Sequence, residues 1–136
     1  MTDRLTIEQR SNLMRRVRGK DTAPEVFVRR LVHAAGFRFR LHRQDLPGKP
    51  DLCFPSRHKA IFVHGCFWHG HTCKIGRLPK SRPEYWQPKI AQNRERDSAT
   101  VAALAALGWR VLTVWQCQTK DSQALRQRIV EFLSAR

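Results

Sequence analysis

Cysteine and histidine crowd one short stretch of this chain. Cys66 and Cys73 bracket His69 and His71 in Cys-Phe-Trp-His-Gly-His-Thr-Cys, and Cys117 stands far along the sequence. Three thiolates and one imidazole are a standard donor set for four-coordinate structural zinc. Either His69 or His71 could complete it, and spacing does not choose between them. Free thiols or a disulfide are the competing reading, but nothing in the sequence suggests an oxidising compartment. Cys53, the remaining thiol, reads as a small core residue.

Asp51 is the second chemical candidate. It follows a proline at the start of a short extended run, and the next such run ends in His64. A carboxylate at a strand end on a basic protein suits Mg²⁺, a hard, oxygen-seeking ion. Mg²⁺ there would polarise a scissile phosphate and stabilise the leaving oxygen. A turn aspartate serving backbone N–H groups is an equally common use of the residue. His64 and His69 flank one loop, and imidazoles that titrate near neutrality could transfer protons beside a metal. Phe67 and Trp68, in the same polar loop, are candidates for stacking on or wedging between bases. Trp86, in the first turn of a predicted helix, could serve either the core or that wedge, whereas Trp109 and Trp115 read as core.

The charge names a class of partner for such a site. The chain has 136 residues with 26 Lys+Arg against 11 Asp+Glu, a formal net charge of +15. At this size such an excess points to a polyanion, with nucleic acid as the default. Residues 1–43 carry eleven basic residues against four acids and residues 49–96 ten against three, so the binding face belongs to the first two-thirds. With 41% apolar residues the chain can build one core, which excludes wholesale disorder. No window approaches the roughly 20 apolar residues of a membrane span, and the N-terminus has no signal-peptide pattern. Membrane insertion and secretion are not expected.

The elements that must position these groups follow from local patterns. Thr6–Arg18 is helix-capable but poorly amphipathic, free to lie on a ligand. Thr22-Ala23-Pro24-Glu25 is a capping box, opening a helix with Phe27, Val28, Leu31, Val32 and Ala35 on one face and Gly36 as its stop. Phe37–His42 alternates as a half-buried strand. Leu46–Pro50 is a turn in which Pro50 biases Lys49 to an extended conformation. Asp51–Phe54 and Ala60–Val63 are two further strands, and the aperiodic 65–82 stretch is a loop of the kind that carries function. A helix over Pro83–Leu107 turns Trp86, Ile90, Val101, Leu104 and Leu107 inward. Trp109–Trp115 is a fourth strand, and Ser122 caps a last helix with Leu125, Ile129, Phe132 and Leu133. The order α-β-β-β-α-β-α predicts one α/β domain over 1–136, a mixed four-stranded sheet flanked by helices with a zinc-stapled loop.

This order, with Pro50-Asp51, resembles the core of the PD-(D/E)XK nuclease superfamily, the restriction-endonuclease-like α-β-β-β-α-β unit. More narrowly, the sequence resembles the very short patch repair (Vsr) DNA mismatch endonucleases. The matching stretches are Arg10–Arg15, Asp21–Glu25, Leu46–Asp51, Phe62–His69 and Leu107–Leu112. No Glu-x-Lys follows Asp51; Val63-His64-Gly65 stands there instead, a departure that Vsr-like enzymes share.

The resemblance implies a strand-specific nick 5′ of the thymine in T·G mismatches left by 5-methylcytosine deamination, initiating very short patch repair. Asp51 and the backbone carbonyl of Val63 would bind Mg²⁺, His64 and Glu25 would hold metal-bound water, and His69 would assist proton transfer. It implies Cys66, His71, Cys73 and Cys117 as zinc ligands. Phe67, Trp68 and Trp86 would wedge from the major groove and Met14 from the minor groove, with Lys89 and Asn93 reading the mismatched pair. Residues 1–20 would form a DNA-contacting helix and residues 21–136 the nuclease core. The implied setting is a cytoplasmic, nucleoid-associated bacterial monomer acting on double-stranded DNA. Its companions would be a cytosine-5 DNA methyltransferase and general mismatch-repair proteins. Two other readings differ in class: a zinc-stabilised DNA-binding module without catalysis, which leaves Asp51, His64 and His69 idle, and a related nuclease acting on junctions or unmodified sites.

Overall fold

The computed structural model describes residues 22–71, 73 and 83–135. The predicted helix Thr6–Arg18, Met14 with it, and most of 72–82 lie outside these. The first helix, α1 (Ala23–Ala34), opens where the Thr22 hydroxyl accepts the Glu25 N–H at 3.5 Å, with Pro24 in its first turn. Val28 and Val32 are fully buried, and Phe27 and Leu31 pack against the same core. The chain reverses at Gly36, whose φ of +90° ends the helix.

The sheet runs β1-β2-β3-β4, from β1 (Arg40–Leu41), β2 (Leu52–Phe54), β3 (Lys59–His64) and β4 (Arg110–Trp115). The first three pair antiparallel, and β3 pairs with β4 in parallel. The crossover between them carries α2 (Pro83–Ala106), and α3 (Ser122–Ser134) closes the chain. The parallel pair is what makes the sheet mixed.

Several local expectations are corrected. The alternation over Phe37–His42 predicts a six-residue strand, yet only Arg40 and Leu41 pair. Phe37 and Phe39 still pack on the core, so here period two reports burial without a hydrogen-bonded ladder. Lys49 is not extended: its φ is +48°, because its N–H closes a turn onto the Leu46 carbonyl at 3.2 Å after Gly48 at +72°. A Cβ on Gly48 would lie 2.3 Å from Thr100 Cγ2, so this turn seats against α2 only as glycine. Asp121, one residue before Ser122, caps α3 by accepting the Ala124 N–H at 3.1 Å.

Period two along the strands divides the core between the faces of the sheet. Ile61, Val63, Leu112 and Val114 join Val28, Val32, Leu125, Ile129 and Leu133 under α1 and α3. On that face the buried Lys59 ammonium donates to the carbonyls of Phe132 (2.6 Å), Leu133 (3.2 Å) and Ala135, at the negative end of α3. Phe62 faces the other way, with Leu46, Cys53 and Leu104. This second core is small, and α2 covers it with few side chains. Ile90 and Leu104 are buried as expected, but Val101 (41% exposed), on the wall of an open cavity, and Leu107 (58% exposed) are not, and Trp86 is only half-buried. The space that a fully apolar α2 would have filled is left as a cavity.

Candidate active site and metal cluster

The same alternation that turns Phe62 toward α2 also turns His64 and Trp115, which are register partners across β3 and β4. The cavity between the His64 end of β3 and α2 measures about 410 Å³ and is lined by Glu25, His42, Asp51, His64, His69 and Asp97, with Lys49 and Arg96 also on its wall. Asp51 stands just before β2, beside the end of β3, where its Oδ2 accepts the Val63 N–H at 2.6 Å. Burial is the main force on its carboxyl and pushes its pKa up to about 7, against the pull of that N–H and with Glu25 adding repulsion. A buried carboxylate in this state favours a cation beside it. Glu25, in the first turn of α1, is buried and paired with Arg29 at 3.2 Å.

His64 and His69 stack face to face, with ring centroids 3.8 Å apart and planes 5° from parallel. His69 Nδ1 meets Asp97 Oδ2 at 2.5 Å, and His64 Nδ1 lies 3.9 Å from the same oxygen. A carboxylate only accepts, so His69 donates from Nδ1. Burial, then the neighbouring His69, holds His64 below the usual histidine range and therefore neutral. Its buried Nδ1 has no hydrogen-bond partner among the described residues. The pair thus offers one base oriented by a carboxylate and one neutral imidazole, beside Asp51.

His71, and not His69, comes together with the cysteines. Cys66, His71, Cys73 and Cys117 each offer a ligand atom within 4.8 Å of the others. The His71 N–H donates to the Cys66 carbonyl at 2.9 Å, and the His71 ring stacks on Trp115 at 4.3 Å. His71 Nδ1 lies 3.6 Å from Cys117 Sγ. A tetrahedral zinc with bonds of about 2.0–2.1 Å to nitrogen and 2.3 Å to sulfur separates such donors by about 3.6 Å, so the set fits that ion. Trp115 is accordingly corrected from core to site: half-buried, it backs His71 and meets His64 edge-on. Trp109 packs on the smaller core and Cys53 is fully buried.

The wedge candidates form one group. Phe67, Trp68 and Trp86 meet edge to face at centroid distances of 5.0, 5.1 and 5.9 Å. Asn93 Nδ2 donates to the Trp68 carbonyl at 2.8 Å, and Lys89 donates to the Tyr85 hydroxyl at 2.9 Å. Gly70 lets the loop lie on α2: a Cβ there would come within 2.6 Å of Ile90 and 2.7 Å of Arg94.

Three site residues escaped the reading of the sequence: His42, Asp97 and Trp115. Asp97 had a signal, since the four-residue step from Lys89 to Asn93 continues to it along one face of α2. His42 had none, because only the turn over 43–50 brings it back beside Asp51, onto whose carbonyl its N–H closes at 3.4 Å.

A mixed four-stranded sheet that gathers carboxylates and imidazoles at the end of its central strand defines a restriction-endonuclease-like nuclease domain. Within that class the chain belongs to the DNA mismatch endonuclease Vsr family, whose model matches residues 2–75. It is 61% identical over 133 residues to the type II nicking enzyme V.XorIIP of Xanthomonas oryzae pv. oryzae, covering 98% of each chain. It is 40% identical over 129 residues to the type II nicking enzyme V.NmeAIP of Neisseria meningitidis, covering 95% of this chain and 92% of that one. To the DNA mismatch endonuclease Vsr of Escherichia coli it is 40% identical over 129 residues, covering 91% and 83%. The chain is a DNA-nicking repair endonuclease, a hydrolase of a family that uses a divalent metal. No helix among the described residues is long and apolar enough to cross a membrane.

Proposed function

We propose that this endonuclease nicks DNA 5′ of the thymine in T·G mismatches, with Mg²⁺ held by the Asp51 carboxylate and the Val63 carbonyl and zinc held by Cys66, His71, Cys73 and Cys117. The observation that carries the reading is the single cavity shared by Asp51, Glu25, His64, His69 and Asp97, with the aromatic group close by in the loop and on α2. Mg²⁺, when bound, supplies charge neutralisation at the scissile phosphate and the leaving oxygen. His69 takes a proton at Nε2, and Asp97 stabilises the imidazolium that results. Neutral His64 and the Glu25 carboxylate order solvent in the cavity. Asp97→Asn should therefore lower nicking about 10–100-fold, leaving duplex affinity unchanged.

Phe67, Trp68 and Trp86 wedge beside the mispair, and Met14 belongs to the same reading. Insertion costs stacking energy, and a T·G step yields it more cheaply than T·A. Asn93 and Lys89, which read the pair, exchange their bonds to Trp68 and Tyr85 for bonds to bases. The substrate originates by deamination of 5-methylcytosine, so a cytosine-5 methyltransferase and general mismatch-repair proteins are the functional companions in the bacterial cytoplasm.

The deciding experiment compares nicking of matched T·A and mispaired T·G duplexes with and without Mg²⁺. Equal nicking of the two would remove mismatch specificity, and unchanged nicking without divalent ions would remove the metal. The same duplexes test the wedge. Trp68→Ala should weaken T·G binding about tenfold or more, on the order of 1.4 kcal/mol, since each base–aromatic stack contributes about 1–3 kcal/mol. Matched-duplex binding, dominated by charge and strongly dependent on salt, should change far less. An equal loss on both duplexes at fixed salt would make Trp68 a general contact.

A further inference from the structure

Arg29 and His42 lie beside Asp51 with no part in the reading above. Arg29, one turn along α1 from Glu25, places a terminal guanidinium nitrogen 3.2 Å from the Glu25 carboxylate and 3.1 Å from His42 Nε2. His42 Nε2 also lies 3.6 Å from Glu25 Oε2, but the Arg29 nitrogen is nearer and has donors only, so the nitrogen it meets on His42 is the one with the lone pair. The proton of a neutral His42 then sits on Nδ1. That nitrogen faces Asp51, 3.8 Å from Oδ1, a distance that one bridging water or a small rotation closes. The backbone holds the ring there with φ at +47°, a conformation costly for a residue with a side chain and one that collects at functional sites.

Spacing alone would make His42 a metal ligand, because Glu25, His42 and Asp51 offer donor atoms within 4.8 Å of one another. The tautomer argues against it. A ligating imidazole gives one nitrogen's lone pair to the ion and carries its proton on the other. Ligation through Nδ1 would drive an Nε2–H against the Arg29 N–H. Ligation through Nε2 would put the ion where the guanidinium already lies.

We propose that Arg29 is a positioning residue that holds His42 with its proton on Nδ1, so that His42 donates toward Asp51 and stays outside the cation's ligand set. The site is then left to oxygen donors, which select a hard ion such as Mg²⁺ over first-row metals that welcome imidazole. This rests on the reading that Asp51 holds the cation.

The test uses the full zinc-loaded chain, labelled with ¹⁵N, in magnesium-free buffer near pH 8. Long-range ¹H–¹⁵N correlations of the imidazoles should show His42 protonated on Nδ1 and bare on Nε2. Arg29→Met should mix or reverse that tautomer, and Arg29→Lys, also a pure donor, should restore it. Mn²⁺ affinity, read from loss of the free-ion EPR signal, and Mg²⁺ affinity by competition give the selectivity. Arg29→Met should shift the ratio toward Mn²⁺ by about tenfold or more. A parent protein whose His42 carries its proton on Nε2, or on both nitrogens, would overturn the proposal. So would an unchanged Mn²⁺/Mg²⁺ ratio in an Arg29→Met protein whose tautomer has moved. The underlying reading fails separately, if Asp51→Asn protein binds Mg²⁺ as tightly as the parent.

Discussion

Asp51→Asn should reduce nicking of a T·G duplex by about 10³-fold or more, on the order of 4 kcal/mol of transition-state stabilisation, while duplex affinity stays within about tenfold. The two effects separate because they have different sources. The carboxylate is asked to hold the cation that meets charge developing at the phosphate. Affinity comes from the basic surface, where a net charge of +15 exceeds one carboxylate by far, and from the aromatic group. Asparagine keeps an oxygen for the Val63 N–H, so the turn and β2 should be undisturbed. The metal-free fold should even gain. A carboxyl raised by burial binds more protons folded than unfolded, so it destabilises the protein increasingly as pH rises from about 4 to about 7. In magnesium-free buffer the parent should lose melting temperature across that window, and Asp51→Asn should show a flatter profile. Full nicking by the variant would remove Asp51 from the mechanism.

Cys117→Ser should cost one zinc per chain and lower the melting temperature by about 10 °C or more. Structural zinc binding contributes roughly 10–16 kcal/mol in small peptides, and in a chain of this size each kcal/mol is worth about 2–4 °C. Cys117 lies in the 3₁₀ turn that follows β4, and its N–H meets Cys66 Sγ at 3.3 Å, so the cluster ties the 66–73 loop to the end of the sheet. Without the ion, burial pushes the Cys66 thiol up to about 12, a state that a bound cation reverses by taking the thiolate. His71 and His69 share the loop, so zinc loss should also loosen the His69–Asp97 contact and lower nicking. Metal analysis finding no zinc in active protein kept in reducing buffer would overturn the assignment.

Much of this was legible along the chain because its causes are local. The Thr22 cap and the apolar stripe of α1 depend on residues a few positions apart. The all-apolar run before His64 required a strand covered on both sides, and β3 is buried along its whole length between β2 and β4. Cysteine, histidine and aspartate advertise their chemistry by type, which brought out Asp51 and the Cys66–Cys73 loop. Elements that meet only through tertiary contacts carried no such mark. Val101 and Leu107 have the spacing of an inward face, yet α2 crosses too little sheet to bury them. His42 reaches Asp51 across a turn, and Asp97 reaches His69 from another element. Even the two loop histidines are sorted by three-dimensional closure. The His69 N–H turns onto Gly65 and its ring meets α2 at Asp97, whereas the His71 N–H turns onto Cys66 and its ring lies on Trp115 among the thiols. Two residues of separation along the chain place them in different sites, because the tight turn between them, through Gly70 at φ +66°, redirects the backbone.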